Sequence, residues 1–288
     1  MDSDLVRRVG FAVVAIPVAL AAVWYGGLAL AFLLALAGAL GTRELFDLAA
    51  RQGIRALRPF GLLSAAAVAP IAYAALVAPE IRELILAAWP YAPALWLIAL
   101  LTGVLAARTP EERPLAVAAV TILAVAYTSV LPAFLLGIRH AAYPERSWPG
   151  AWLVFFPLVV TWVGDTAAMF AGRAIGGPRL APRVSPGKTR SGSVAGVAAA
   201  LAVAPIFEGW VFPRVGLEIP LWELLIIAGV LALVGQVGDL VESLFKREAG
   251  VKDSSRLIPG HGGVLDRFDS LYFVIPVAAA MYRAFGVI

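Results

Sequence analysis

Residues 220–246 read PLWELLIIAGVLALVGQVGDLVESLFK, and residues 247–265, which follow, read REAGVKDSSRLIPGHGGVL. A hydrocarbon core about 30 Å thick is crossed by about 20 apolar residues in helical form, and the first stretch is long and apolar enough to do it. Its polar residues are not scattered. Gln236, Asp239, Ser243 and Lys246 recur at i, i+3, i+7 and i+10, with Glu242 alongside, so one face of one helix is polar toward one end. That face cannot look at lipid. A membrane-crossing helix that ends in charge and then opens into a glycine-rich loop implies an all-α membrane fold with its chemistry at one edge.

The rest of the chain has the same character. Of its 288 residues 61% are hydrophobic and 15% charged, where a soluble domain carries about a quarter charged. Cysteine is absent, which excludes disulfides, thiolate catalysis and zinc-thiolate sites. The net charge of +4 belongs to basic loops, and no basic face with interleaved aromatics points to nucleic acid. Arg7 and Arg8 before an apolar run look superficially like a secretory signal, but the run reads as a first membrane helix. Apolar runs predict nine spans near 9–25, 27–48, 59–78, 84–107, 114–138, 150–172, 192–213, 220–246 and 268–287, with eight as the alternative. Continuous runs without alternation exclude a membrane barrel.

On that topology one set of loops holds eighteen of the 23 Lys and Arg residues. The positive-inside rule makes that set cytoplasmic, together with the N-terminus. Residues 1–149 read as an N-terminal transmembrane scaffold and 150–288 as a C-terminal catalytic region with cytoplasmic loops 173–191 and 247–265. Pro178, Pro182 and Pro186 forbid regular helix in the first of these loops.

Chemistry-bearing residues gather in the same region. Lys188, Lys246 and Lys252 are the three lysines of a chain that otherwise uses arginine, and a compact ammonium suits contact with phosphate. Asp165, Asp239 and Glu242 lie near the cytoplasmic ends of their spans, and Asp266 and Asp269 open the ninth. A carboxylate at membrane depth costs on the order of 2–4 kcal/mol and faces a partner or a water-filled cavity. Two readings stay open for these acids: structural ion pairs with neighbouring cations, or ligation of a hard cation. Carboxylates without cysteine or clustered histidine suit Mg²⁺, which prefers oxygen. His140 reads as a structural histidine, and Gly192 and Gly196 as a close helix contact. No G-x-x-x-x-G-K-[ST] loop is present.

The stretch from Ser243 to Asp269 resembles the signature of the phosphatidate cytidylyltransferases (CDP-diacylglycerol synthases): S-x-x-K-R, four residues, K-D, then H-G-G-x-x-D-R-x-D. Ser243, Lys246, Arg247, Lys252, Asp253, His261, Gly262, Gly263, Asp266, Arg267 and Asp269 occupy all its fixed positions. Gly164-Asp165-Thr166 through Phe170, with Gly172, and Ser185-Pro-Gly-Lys-Thr189 look like a second block of that family. The likeness covers roughly 160–288, and the N-terminal half agrees in hydropathy alone. Family members commonly follow Lys-Thr with an aromatic and an acid or amide before glycine. Here Arg190 and Ser191 stand in those places, so neither inherits a role.

The resemblance implies transfer of CMP from CTP to phosphatidate, giving CDP-diacylglycerol and pyrophosphate, with Mg²⁺, at the cytoplasmic face of the inner membrane. The family's metal aspartates match Asp239 and Asp266, and Asp165 is taken with them as a metal ligand. Lys188, Lys246, Arg247 and Lys252 would neutralise phosphate charge during catalysis, with Asp269 beside the metal. Ser185, Thr189, Ser243, Asp253, His261, Gly262, Gly263 and Arg267 would bind substrate. The implied partners are CTP, phosphatidate and membrane lipid. A second, monovalent cation and a homodimer remain open. The alternatives are the same reaction on an ether-linked isoprenoid phosphatidate and an ion-coupled transporter. A CDP-alcohol phosphotransferase lacks support, because its D-x-x-D-G-x-x-A-R pattern is absent.

Overall fold

In a computed structural model of the chain, residues 3–258, 260 and 262–288 are described, the side chains of 3–9, 11 and 12 excepted. Pro259, His261 and the Arg7 and Arg8 side chains therefore lie outside the described residues. The fold is all-α with one short hairpin. Its elements are α1 (Ser3–Tyr25), α2 (Gly27–Ala50), α3 (Arg58–Val77), α4 (Pro79–Ala88), α5 (Ala92–Ala107), α6 (Pro114–Val125), α7 (Leu131–His140), α8 (Trp148–Ile175), β1 (Arg179–Ala181), β2 (Ser185–Thr189), α9 (Arg190–Ile206), α10 (Leu221–Glu248), α11 (Leu265–Phe268) and α12 (Leu271–Ala284).

Among the described residues six helical stretches are long and apolar enough to cross a membrane: α2, α3, Pro114–His140, α8, Arg190–Val211 and α10. A seventh exists if α4 and α5, bent by 64° at their junction, form one broken span. The nine expected spans thus reduce to six or seven by this measure. The run 84–107 is interrupted because Pro90 and Pro93 withhold backbone N–H groups where a continuous helix needs them. Helix α1 runs 23 residues from Ser3 to Tyr25, and α12 spans 14 residues. Helix α12 falls short of the roughly 20 residues that a full crossing takes.

The chain divides into two compact units. The first comprises residues 1–22, 27–136 and 253–267. Within it α2 packs on α3 and α6, and α5 on α6. Ala49, Ile54, Leu100, Val104, Val117 and Ala118 form one apolar cluster. A polar seam crosses this unit where α6 passes through a π-turn (Ala126–Val130) toward α7. There the Thr128 hydroxyl lies 2.7 Å from that of Thr42 and 3.0 Å from the Gly38 carbonyl.

The second unit comprises residues 23–26, 137–252 and 268–288. Helix α8 packs closely on α9, and α10 packs on α9 and α12. A Cβ at Gly192 would strike the Ala168 carbonyl, and one at Gly196 the Gly164 carbonyl, so the G-x-x-x-G does bring two backbones together. The proline-bearing loop forms the β1–β2 hairpin, pairing Arg179 with Thr189 and Ala181 with Ser185. Helix α10 stops at Gly250, whose φ of +69° is open to glycine without strain. Gly250 N–H donates to the Arg247 carbonyl (3.0 Å) and Val251 N–H to that of Lys246 (2.9 Å), a Schellman closure. That stop determines where the charged end of α10 lies.

Candidate active site

The polar face of α10 is organised by partners from three other elements of its unit. One turn up the helix, the Ser193 hydroxyl of α9 donates to Gln236 Oε1, and Gln236 Nε2 donates to the Ser193 carbonyl at 3.2 Å. Asp239 comes next. Its Oδ2 accepts from Lys188 Nζ of β2, and its Oδ1 from the Ser243 hydroxyl at 3.3 Å. Lys188 and Asp239 keep 27% and 24% of their side-chain surface exposed, so solvent reaches both. One turn further, Lys246 Nζ lies 2.5 Å from Glu242 Oε2, and the Glu242 side chain is 1% exposed.

Close packing brings two more carboxylates in. Gly238 allows α10 to approach the start of α12 so nearly that a Cβ there would sit 2.9 Å from the Asp269 carbonyl oxygen. Asp165, Asp239 and Asp269 lie within electrostatic reach of one another, Lys188 acts on each of them, and Lys246 acts on Asp269. With all six groups ionised, four carboxylates face two ammoniums, an excess of two negative charges. A cavity of about 10 Å³, room for about one water, lies beside Asp165, lined by Thr161, Gly164, Gly196, Gly235 and Gln236 among others. It is below the roughly 300–1,000 Å³ of pockets for drug-sized ligands.

Among the described residues no group of three or more Asp, Glu, His or Cys side chains is arranged to hold a metal by itself. The donor set still fits Mg²⁺ in kind. It is all oxygen and carries excess negative charge, and that ion retains waters and substrate phosphates rather than demanding an all-protein cage.

A second cluster forms within the first unit, around the loop that ends in α11. Asp266 Oδ2 accepts from Ser254 N–H, the Ser254 hydroxyl and Gly263 N–H, each at 2.8 Å. Gly262 has φ +80° and lies against that carboxylate, and Gly263 has no room for a Cβ at all. The loop tip closes through Ile258 N–H on the Gly262 carbonyl at 2.8 Å.

The model of the Cytidylyltransferase family matches residues 6–285, nearly the whole chain. The chain belongs to this family. It is 40% identical over 159 residues to a phosphatidate cytidylyltransferase of Haemophilus influenzae, covering 54% of this chain and 55% of that one. A phosphatidate cytidylyltransferase of Staphylococcus saprophyticus is 43% identical over 160 residues, 56% of this chain and 57% of the other. One of Brucella suis is 48% identical over 135 residues, 47% of each. These matches span about half the length of the curated relatives.

The residues singled out in the sequence fall into separate groups. Asp165, Lys188, Asp239, Ser243, Lys246 and Asp269 share the α10 face and its surroundings. Arg247 is exposed and donates to the Val184 and Val251 carbonyls (3.2 and 2.8 Å). Lys252, Asp253 and Arg267 are exposed. Ser185 opens β2, and Thr189 is buried as the N-cap of α9, accepting from Gly192 N–H at 3.1 Å. Gly262, Gly263 and Asp266 belong to the loop cluster, and His261 lies outside the described residues. Two of the acids are ion-paired in this structure, Asp239 with Lys188 and Glu242 with Lys246.

Sequence reading missed Glu44. The N-terminal half reads as apolar scaffold, yet Glu44 of α2 is 3% exposed and accepts from both ends of the signature loop. Its local context, Thr42-Arg-Glu-Leu-Phe-Asp47, holds one faint signal. Glu44 has buried Gly41 and Leu48 one turn away on either side, whereas neighbouring Arg43 is exposed.

Proposed function

We propose that the chain transfers CMP from CTP to phosphatidate, forming CDP-diacylglycerol and pyrophosphate, as the names of its relatives indicate for those proteins. The observation that carries this reading is the complete signature from Ser243 to Asp269 in a chain matched by the cytidylyltransferase family over residues 6–285. The concentration of lysine and arginine in one set of loops supports a site at the cytoplasmic face of the inner membrane. In this topology α1 and the segment 268–287 around α12 are the two crossings added to the seven above, and the N-terminus is cytoplasmic.

The chemistry suits the side chains. A phosphate oxygen of phosphatidate is already ionised at neutral pH, so attack on the α-phosphorus of CTP needs no strong general base. The obstacle is the approach of two polyanions, and catalysis rests on positioning and charge neutralisation. Bound Mg²⁺ would supply Lewis-acid neutralisation of the phosphates. Asp239 is its first candidate ligand, with Asp165 and Asp269 around it, and the resemblance adds Asp266. Lys188 would exchange Asp239 for phosphate as substrate arrives. Lys246, held by Glu242, would present a fixed positive charge, and Arg247, Lys252 and Arg267 are exposed to meet phosphate at the membrane surface.

The test is direct. Purified protein with α-labelled CTP, Mg²⁺ and phosphatidate should place label in the chloroform-extractable lipid, dependent on both the lipid and the divalent ion. Absence of lipid-borne label, with CTP and phosphatidate recovered intact, would overturn the assignment.

A further inference from the structure

Glu44 is among the few charged side chains described as buried in the first unit, on a helix whose other charged residues, Arg43 and Asp47, are not buried. An ionised carboxylate taken out of water persists only where hydrogen bonds replace the solvent. Four donors do so here. Oε1 accepts from the Ser255 hydroxyl (2.7 Å) and Val264 N–H (3.0 Å). Oε2 accepts from the Ser254 hydroxyl (3.0 Å) and Leu265 N–H (2.9 Å). All four belong to the segment that carries the signature, two at its entry and two at its exit.

The geometry does more than bury a charge. Residues 254–255 and 264–265 are drawn to one carboxyl group, so the intervening turn is closed at its neck and the Ile258–Gly262 bridge folds its tip. Gly263 is pressed so near that a Cβ would fall on the Glu44 carboxylate and the Ser254 hydroxyl. The Ser254 hydroxyl, with one proton, lies within hydrogen-bond distance of both Glu44 Oε2 and Asp266 Oδ2. Glu44 and Asp266 are thereby tied to the same donor. A glycine of the signature and a serine beside it are explained by a residue more than 200 positions away in sequence.

We propose that Glu44 is a positioning residue for the reaction: its carboxylate holds the signature loop in the shape that substrate meets. This rests on the cytidylyltransfer reading for its functional half, while the loop geometry stands alone. Glu44→Gln is the sharp variant. An amide keeps the volume but turns an –NH₂ toward one backbone N–H, so that bond is lost and the serine hydroxyl beside it must turn round to accept.

The experiment uses the full chain in detergent or nanodiscs and reads hydrogen exchange by mass spectrometry alongside CMP transfer. In Glu44→Gln the peptides covering 254–265 should exchange at least tenfold faster while those of α3 and α8 stay protected. The kcat should fall at least tenfold, with the KM for phosphatidate changed less than twofold. Asp47→Asn, an exposed acid one turn along α2, should leave both readouts as in the wild type. Unchanged loop exchange in Glu44→Gln, or full turnover despite faster exchange, would overturn the proposal. Should that variant not fold, Ser255→Ala removes one donor only. It should speed loop exchange about threefold and lower kcat, and wild-type protection there would equally overturn it. A wild-type protein that transfers no CMP would sink the functional reading, whereas the exchange comparison would still decide whether Glu44 holds the loop.

Discussion

The two polar clusters both solve the problem of a carboxylate out of bulk water, and they solve it differently. On the α10 face, Asp239 is compensated by the ammonium of Lys188 and Glu242 by that of Lys246. In the signature loop, Glu44 and Asp266 are compensated by backbone N–H groups and serine hydroxyls. A lysine on a flexible stem, partly reached by solvent, can exchange its partner for an incoming cation or phosphate. A backbone N–H cannot leave without unfolding the turn that carries it. The first arrangement suits a site whose charges are rearranged during turnover, and the second suits a frame that stays fixed.

Breaking the exchangeable cluster should have the largest effect. Asp239→Asn removes the carboxylate that Lys188 engages, and we expect CMP transfer to fall at least about a hundredfold, roughly 2.7 kcal/mol of transition-state stabilisation, with thermal stability near that of the parent. Lipid labelling and a melting curve on the same sample check both halves. Breaking the fixed cluster should act on stability instead. Gly263→Ala forces a Cβ onto the Glu44 carboxylate and the Ser254 hydroxyl, and we expect a loss of about 1–3 kcal/mol, read as a lowered unfolding midpoint.

Lys188→Met sharpens the contrast. If the ammonium competes with a divalent cation for Asp239, kcat should drop about tenfold, or about 1.4 kcal/mol, while the Mg²⁺ concentration for half-maximal activity falls. A rise in that concentration would mean that Lys188 does not compete with the cation. The smallest effect is expected from Thr189→Ala. Thr189 caps α9 through Gly192 N–H, and removal of a cap costs about 1 kcal/mol. A loss of activity far beyond that would give Thr189 a direct part in substrate binding.

Much of this was legible before any coordinates. Apolar run lengths predicted helices at the positions of α2, α3 and α10, and the i, i+3, i+7 spacing predicted the polar face that Gln236, Asp239 and Ser243 share. The prolines of 178–186 predicted the absence of helix where β1 and β2 pair. The break between α4 and α5 was less legible, because hydropathy averaged over a window hides what Pro90 does to a helix. Glu44 was not legible at all by spacing. Beyond the buried neighbours one turn away at Gly41 and Leu48, nothing local distinguishes it from a surface glutamate, and its partners lie at Ser254, Ser255, Val264 and Leu265.

What the amino-acid order determined by itself is whatever short-range physics controls: which segments prefer lipid, which faces of them are polar, where backbone N–H groups are missing, and which pattern of fixed residues the chain carries. What the tertiary structure decided is pairing. Asp239 with Lys188 rather than Arg247, and Glu44 with the neck of a distant loop rather than with water, are choices made by packing. Hydropathy and helical period act over a few residues, whereas a buried charge accepts whichever donors the closed fold brings within about 3 Å.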